Sequence, residues 1–206
     1  MSPVTSIKKS KYRPRQIIEN PRKYAKTLSD VLANLDFDTV EAIAHLIADV
    51  GLRQAQVLLI GNGGSASNAS HYHCDLTSAF RTYQSRLRVL NLAGSPSIIT
   101  ALGNDFDFRK IFSFQVKETG NPGDLLLMLT ASGNSPDILE ACATAQDLSI
   151  KTISITGFGG GKVASMADLN LTIPSNNYGV IEDVQLVLGH MFSQKICGLF
   201  EDKIDV

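Results

Sequence analysis

Two short stretches of this chain carry residue types that could hold an anion. Gly61-Asn62-Gly63-Gly64-Ser65 follows the apolar run Val57-Leu58-Leu59-Ile60, and Ala66, Ser67 and Asn68 open a helical pattern behind it. Thr130-Ala131-Ser132-Gly133-Asn134-Ser135 follows the apolar run from Leu125 to Leu129, and Pro136 begins the next helix as a favourable first residue. Glycine permits positive φ and lets a ligand approach bare backbone. A helix opening behind each loop offers N–H groups without intrahelical partners and a partial positive charge. The hydroxyls of Ser65, Thr130, Ser132 and Ser135, with Asn62 and Gly63 beside them, complete a candidate substrate-binding set. Neither loop contains Lys or Arg, so the chemistry expected is a phosphate held by hydroxyls and amides. The first loop lacks both the G-x-G-x-x-G spacing of a dinucleotide site and the Gly-Lys-Ser/Thr of a nucleotide P-loop. Each loop alone also suits a capped turn, with Ser135 simply the N-cap. The occurrence of two such junctions in one chain points to a ligand.

The elements that must position these loops follow from the apolar pattern. Short apolar runs at 57–60, 87–92, 125–129, 152–156 and 169–173 read as buried parallel strands. Helical segments near 66–79, 96–103, 136–148 and 162–167 lie between them, and a long helix from about Val180 to Phe200 closes the chain. Alternation of this kind predicts an α/β fold with a doubly wound, five-stranded parallel sheet, whose ligands sit at the C-terminal strand ends. Before the sheet, Leu28, Val31 and Leu32, then Val40, Ile43, Ala44, Leu46, Ile47 and Val50, recur at helical spacing. A break at Asn34–Asp38 makes these an N-terminal helical hairpin, whose apolar faces need a sheet or a partner subunit to cover.

With 206 residues, the chain is long enough for one sizeable core. The expected organisation is a flexible basic leader over residues 1–15 and a single domain over 16–206. Hydrophobic residues make up 44%, charged residues 19%, and the formal net charge is −1, which argues against a nucleic-acid or membrane partner. The cluster from Lys8 to Lys26 faces only Glu19 and is read as a solvated leader in preference to a nucleic-acid arm. No apolar run reaches the roughly 20 residues of a membrane helix. The start has no signal-peptide h-region, and Cys74, Cys142 and Cys197 are too few and scattered for a disulfide framework. The expected location is the cytoplasm.

In consistent order over roughly residues 55–200, the chain resembles the sugar isomerase (SIS) family, and within it the phosphoheptose isomerase group. The resemblance rests on Gly61 to Ser65 with His71 and Asp75-Leu76-Thr77, on Gly103-Asn104-Asp105-Phe106, and on Ser132-Gly133-Asn134-Ser135. It continues in Thr156-Gly157 with Gly160-Gly161-Lys162, and in Ile181-Glu182 with His190. It implies the SIS fold, a homotetramer with active sites at subunit interfaces, and a sugar-phosphate substrate, sedoheptulose 7-phosphate in this group. Asn104, Asp105 and Glu182 join the implied substrate-binding residues. It also implies a divalent metal, usually zinc, with ligands at His71, Asp75, Glu182 and His190. Asp75 would be the catalytic base and His190 the acid. His71 and Asp75 stand four apart on one helix face. Glu182 and His190 stand eight apart, about 80° around the last helix, and imidazole with carboxylate suits zinc.

Several positions depart from the family pattern. Asp75 replaces the usual Glu, which withdraws the carboxylate by roughly an ångström, a displacement on the scale that can cost about 10²-fold in rate. Glu182 replaces Gln and adds a negative charge that favours a metal and disfavours a further anion. Ala79 stands where a basic residue is usual, with Arg81 close by, and Tyr178-Gly179-Val180 stands where an Asp or Thr often contacts the sugar. His73 points away from His71 by roughly 200° and is expected to be packed or exposed; His45 is expected to be structural. The reading is a metal-dependent aldose–ketose isomerase. Its alternatives are a non-catalytic protein-binding module, like the replication-initiator-binding members of the family, and a sugar-phosphate sensor.

Overall fold

The structure is a computed structural model that describes residues 17–79 and 87–201; the expected leader and Arg81 lie outside the described residues. Helices α1 (Pro21–Ala33) and α2 (Phe37–Leu52) precede β1 (Gln56–Gly61), α3 (Gly64–Ala79), β2 (Arg88–Asn91) and α4 (Pro96–Asp105). A 3₁₀ turn (Phe108–Lys110) and α5 (Ser113–Thr119) lead to β3 (Leu125–Thr130), α6 (Pro136–Asp147), β4 (Lys151–Thr156), α7 (Val163–Met166), β5 (Leu169–Thr172) and α8 (Tyr178–Glu201). The sheet is parallel throughout, in the order β2-β1-β3-β4-β5. This is the expected five-stranded doubly wound α/β architecture with a helical hairpin ahead of it.

Alternate residues of each strand feed two cores. Val57, Leu59, Leu125, Leu127 and Leu129 pack with α1, α2, α3 and α8 on one face. Leu58, Ile60, Leu126 and Met128 pack with α4, α5 and α6 on the other. The hairpin thus covers its own sheet: Val40, Ile43, Ala44 and Ile47 of α2 sit in the same core as Leu188 and Phe192 of α8. Asn20 caps α1 by accepting from the N–H groups of Arg22 and Lys23, and Asp36 caps α2 by accepting from Thr39. The 3₁₀ turn and α5 have no counterpart in the sequence reading. Ile111, Phe112 and Val116 face the core there, while Phe106, Phe108 and Phe114 remain exposed, so the stretch shows no clear helical stripe.

The order of strands decides where a ligand can bind. After β1 the chain crosses to β2 on one side, and from β3 onward it winds to the other, so the switch in direction falls between the neighbours β1 and β3. A crevice opens outside the carboxyl ends of strands at such a switch. The two glycine- and hydroxyl-rich loops leave those two strands.

Candidate active site

Gly61 to Gly64 turn β1 into α3 in a minimum of space. Gly63 adopts φ +57°, the left-handed region in which glycine carries no penalty. The second loop leaves β3 with Gly133 at φ +63°. A Cβ on Gly133 would overlap the carbonyl oxygen of Gly160, so a third loop buttresses the second. The N–H of Val163 donates to the Gly133 carbonyl at 3.0 Å and that of Lys162 to Asn134 Oδ1 at 3.1 Å. The segment 156–162, part of the family resemblance, therefore supports the cradle.

Between the loops and the head of α8 lies a cavity of about 250 Å³. Asn62, Gly63, Ser65, Thr130, Ser132 and Ser135 all line it, with Gly64, Ala131, Tyr178 and Glu182. No Lys or Arg does. Ser135 occupies the N-cap position of α6, yet its side chain makes no capping bond, which leaves the hydroxyl to the cavity. The other groups are partly engaged. Ser65 Oγ donates to Gln185 Oε1 at 2.9 Å, and Thr130 Oγ1 accepts from the N–H of Gly133 at 3.3 Å. Asn62 Nδ2 donates to Asp137 Oδ2 at 2.6 Å and so ties one loop to the helix behind the other. Burial raises the pKa of the Asp137 carboxyl against the opposing effect of that bond.

The head of α8 is fixed from outside by α1. Tyr24 donates to Asp183 Oδ2 at 2.6 Å, and its phenol is pushed up to about 12 by burial and then by Asp183. Tyr178, at the position where the family often has an Asp or Thr, packs on Phe158 with ring centroids 4.7 Å apart.

Two turns further along, α3 and α8 build a second cluster. His71 Nε2 and His190 Nε2 are 2.8 Å apart, and Asp75 Oδ2 lies 3.2 Å from the first and 3.5 Å from the second. Contact this close needs a gap between the helices. Gly189 supplies it: a Cβ there would overlap the ring of Tyr72, which is fully buried and donates its hydroxyl to the Gln185 carbonyl at 2.6 Å.

The donor atoms fit a metal. Asp75 Oδ2 is buried and has no hydrogen-bond partner, although both imidazoles are within ion-pair distance. The three atoms, the two imidazole nitrogens within hydrogen-bond distance of each other, lie close enough to share one ion. Tetrahedral zinc with bonds of about 2.0–2.2 Å sets its ligand atoms roughly 3.3 Å apart, and the three separations bracket that value. Left without a cation, a buried carboxylate oxygen with no partner is costly.

Glu182 stands apart from this cluster, which comprises His71, Asp75 and His190. Eight residues of helix rise about 12 Å, so Glu182 faces the cavity between the two loops while His190 faces a separate depression that Asp75 also lines. Burial, and then the neighbouring Asp183, raises the pKa of Glu182. Asn104 and Asp105 lie at the end of α4, bonded to each other at 2.8 Å, and do not line the cradle. His45 and His73 are exposed and outside the cluster. Sequence reasoning missed Gln185, which is fully buried and accepts from Ser65. A polar residue on the apolar face made by Ile181, Val184 and Leu188 was the available signal.

A parallel sheet whose switch point carries a cavity lined by hydroxyls and backbone amides is the architecture of a small-ligand-binding α/β domain, and the chain belongs to the SIS domain family, whose model matches residues 22–157. Within that family it groups with the phosphoheptose isomerases. The phosphoheptose isomerase of Rhodospirillum rubrum is 36% identical over 186 residues, 89% of this chain and 96% of that protein. Solved phosphoheptose isomerases from Neisseria gonorrhoeae and Francisella tularensis superpose with TM-scores of 0.76 and 0.77, each at 31% identity over 85% of this chain and 95% of theirs. No helix among the described residues is long and apolar enough to cross a membrane.

Proposed function

We propose that this protein is a metal-dependent sugar-phosphate isomerase that interconverts sedoheptulose 7-phosphate and the corresponding aldoheptose 7-phosphate. The observation that carries the reading is the convergence of His71, Asp75 and His190 in the same helix pair that frames the phosphate cradle. A protein-binding module or a sensor needs the cradle or the surface, and neither needs a buried carboxylate held between two imidazoles.

The residues divide the work. The first turns of α3 and α6 and the hydroxyls of Thr130, Ser132 and Ser135 bind the phosphate through amides and neutral donors. A proton leaves C1 of the ketose for Asp75, whose Oδ1 stays available when Oδ2 faces the cation site, and the resulting enediolate receives it back at C2. His190, through Nδ1 when Nε2 faces the cation site, carries the hydroxyl proton from O1 to O2, so no atom is gained or lost overall. His71, Asp75 and His190 would hold the cation, zinc by their chemistry, and a bound cation supplies Lewis-acid stabilisation of the enediolate oxygens. In one chain the cradle and the cluster open on separate cavities. This supports a homotetramer whose sites are completed between subunits, where Asn104 and Asp105 find their role. A cytoplasmic location agrees with the sugar-phosphate substrate and the free cysteines.

Incubation of the purified protein with sedoheptulose 7-phosphate, followed by NMR, tests this reading. Appearance of an aldose 7-phosphate is expected. A ketose that stays unchanged with metal supplied would overturn it.

A further inference from the structure

Asp137 is a carboxylate to which the mechanism above gives no task. It stands in the first turn of α6, behind the loop that carries Ser132 and Ser135, and is only 3% exposed. Burial of a carboxylate without a cation is costly. Among the described residues no cation pairs with it, and the one side chain that donates to it is Asn62, across 2.6 Å. Asn62 belongs to the other loop. It lines the cavity, and its backbone carbonyl accepts from the N–H of Ala66, which sets it at the head of α3.

A carboxylate accepts hydrogen bonds and cannot donate them, so the NH2 end of the Asn62 amide is the end that faces Asp137. Its Oδ1 lies at the opposite prong and accepts no hydrogen bond among the described residues. Asn134 of the second loop is the contrast. Its Nδ2 donates to the Ser132 carbonyl at 2.8 Å and its Oδ1 accepts from the N–H of Lys162 at 3.1 Å, so both ends are used inside the protein. From this geometry we infer that Asp137 is a positioning residue, which touches no ligand and holds the Asn62 amide with its oxygen toward the cavity. An acceptor there is matched by a sugar hydroxyl, which donates, and not by the bare oxygens of a phosphate group. A reversed amide would offer donors to those oxygens, and the demand for a hydroxyl would be lost. Asp137 thus sets the polarity of one wall of the cradle from behind it. The inference rests on the assignment of the cradle to a sugar phosphate made above.

Calorimetric titration with sedoheptulose 7-phosphate and, separately, with inorganic phosphate tests it on the full-length wild type, Asp137→Asn, Asn62→Ala and the double variant. Asp137→Asn keeps the shape of the side chain, but its amide donates as well as accepts, so Asn62 is free to turn. This variant is expected to bind the sugar phosphate about tenfold more weakly, the scale of one lost hydrogen bond. Inorganic phosphate should bind it at least as tightly as it binds the wild type. In the Asn62→Ala background the same substitution should leave the preference between the two ligands unchanged, because Asp137 acts through that amide. Equal weakening toward both ligands, or a preference that still shifts in the Asn62→Ala background, would overturn the inference. The wild type alone supplies an independent reading by NMR: the two Nδ2 protons of Asn62, identified by their absence in Asn62→Ala, should be widely split, with one far downfield against the carboxylate. A narrow pair, as a freely turning amide gives, would equally overturn it. If no form of the protein binds either ligand, the cradle assignment itself fails and the inference with it.

Discussion

Asp75→Asn is expected to lower turnover by about 10³-fold or more while leaving the fold intact or slightly more stable without metal. The two effects have one origin. In the folded chain Asp75 Oδ2 is buried between His71 and His190 without a hydrogen bond, so the charge is held in place for something other than stability. An amide of the same shape removes the proton acceptor and weakens the cation site, yet also removes a buried carboxylate oxygen that no hydrogen bond satisfies. A melting temperature of the chelated variant equal to or above that of the chelated wild type, with activity lost, is the predicted pair of results. Loss of activity with a fall of melting temperature by many degrees would mean that Asp75 is structural. Asp75→Glu addresses the departure from the family: restoring the missing methylene should leave metal content unchanged and shift the rate in whichever direction the carboxylate now misses the substrate.

Gly133→Ala should have the largest effect on stability of any single methyl group in the cradle. The residue sits at φ +63°, where a Cβ costs about 1–2 kcal/mol. That Cβ would also overlap the Gly160 carbonyl and stand 3.1 Å from the Cα of Gly161, both backbone. Neither neighbour can rotate away, because the Val163 N–H holds the Gly133 carbonyl at 3.0 Å. A loss of about 3 kcal/mol follows, equivalent to a fall of roughly 6–12 °C in melting temperature for a chain of this size. Displacement of the loop should also weaken phosphate binding, since Ser132 and Ser135 flank the substituted residue. Differential scanning calorimetry checks the first expectation and phosphate titration the second. A change within about 1 °C would show that the third loop yields, and that the cradle is less rigid than its backbone contacts imply.

The sheet was legible because a strand buried on both faces has no alternative to a continuous apolar run. Val57 to Ile60 and Leu125 to Leu129 are such runs, and the structure extends each by a residue or two. The cradle was legible for a related reason: glycine and hydroxyl residues directly after two such strands have few structural uses in common. Helix α5 was not, since exposed Phe106, Phe108 and Phe114 beside buried Ile111, Phe112 and Val116 erase the contrast that marks a helix face. Glu182 shows a different limit. The resemblance places it with His190 in one site, but a helix also rises, and within one chain eight residues carry the two side chains to different cavities. His71 and Asp75 meet within one chain because four residues are one turn. Contacts between distant elements, such as Ser65 with Gln185 and Tyr24 with Asp183, depend on how α8 docks and leave only weak local traces in the sequence.

Metal analysis of the purified protein, alongside turnover of sedoheptulose 7-phosphate before chelation, after chelation and after return of zinc, tests most directly whether a cation at His71, Asp75 and His190 makes the protein an isomerase. About one cation per chain is expected of this three-ligand site, with loss of both cation and turnover on chelation, recovery of both with zinc, and absence of both in His190→Ala. Turnover that persists in full after the cation has been removed would contradict it.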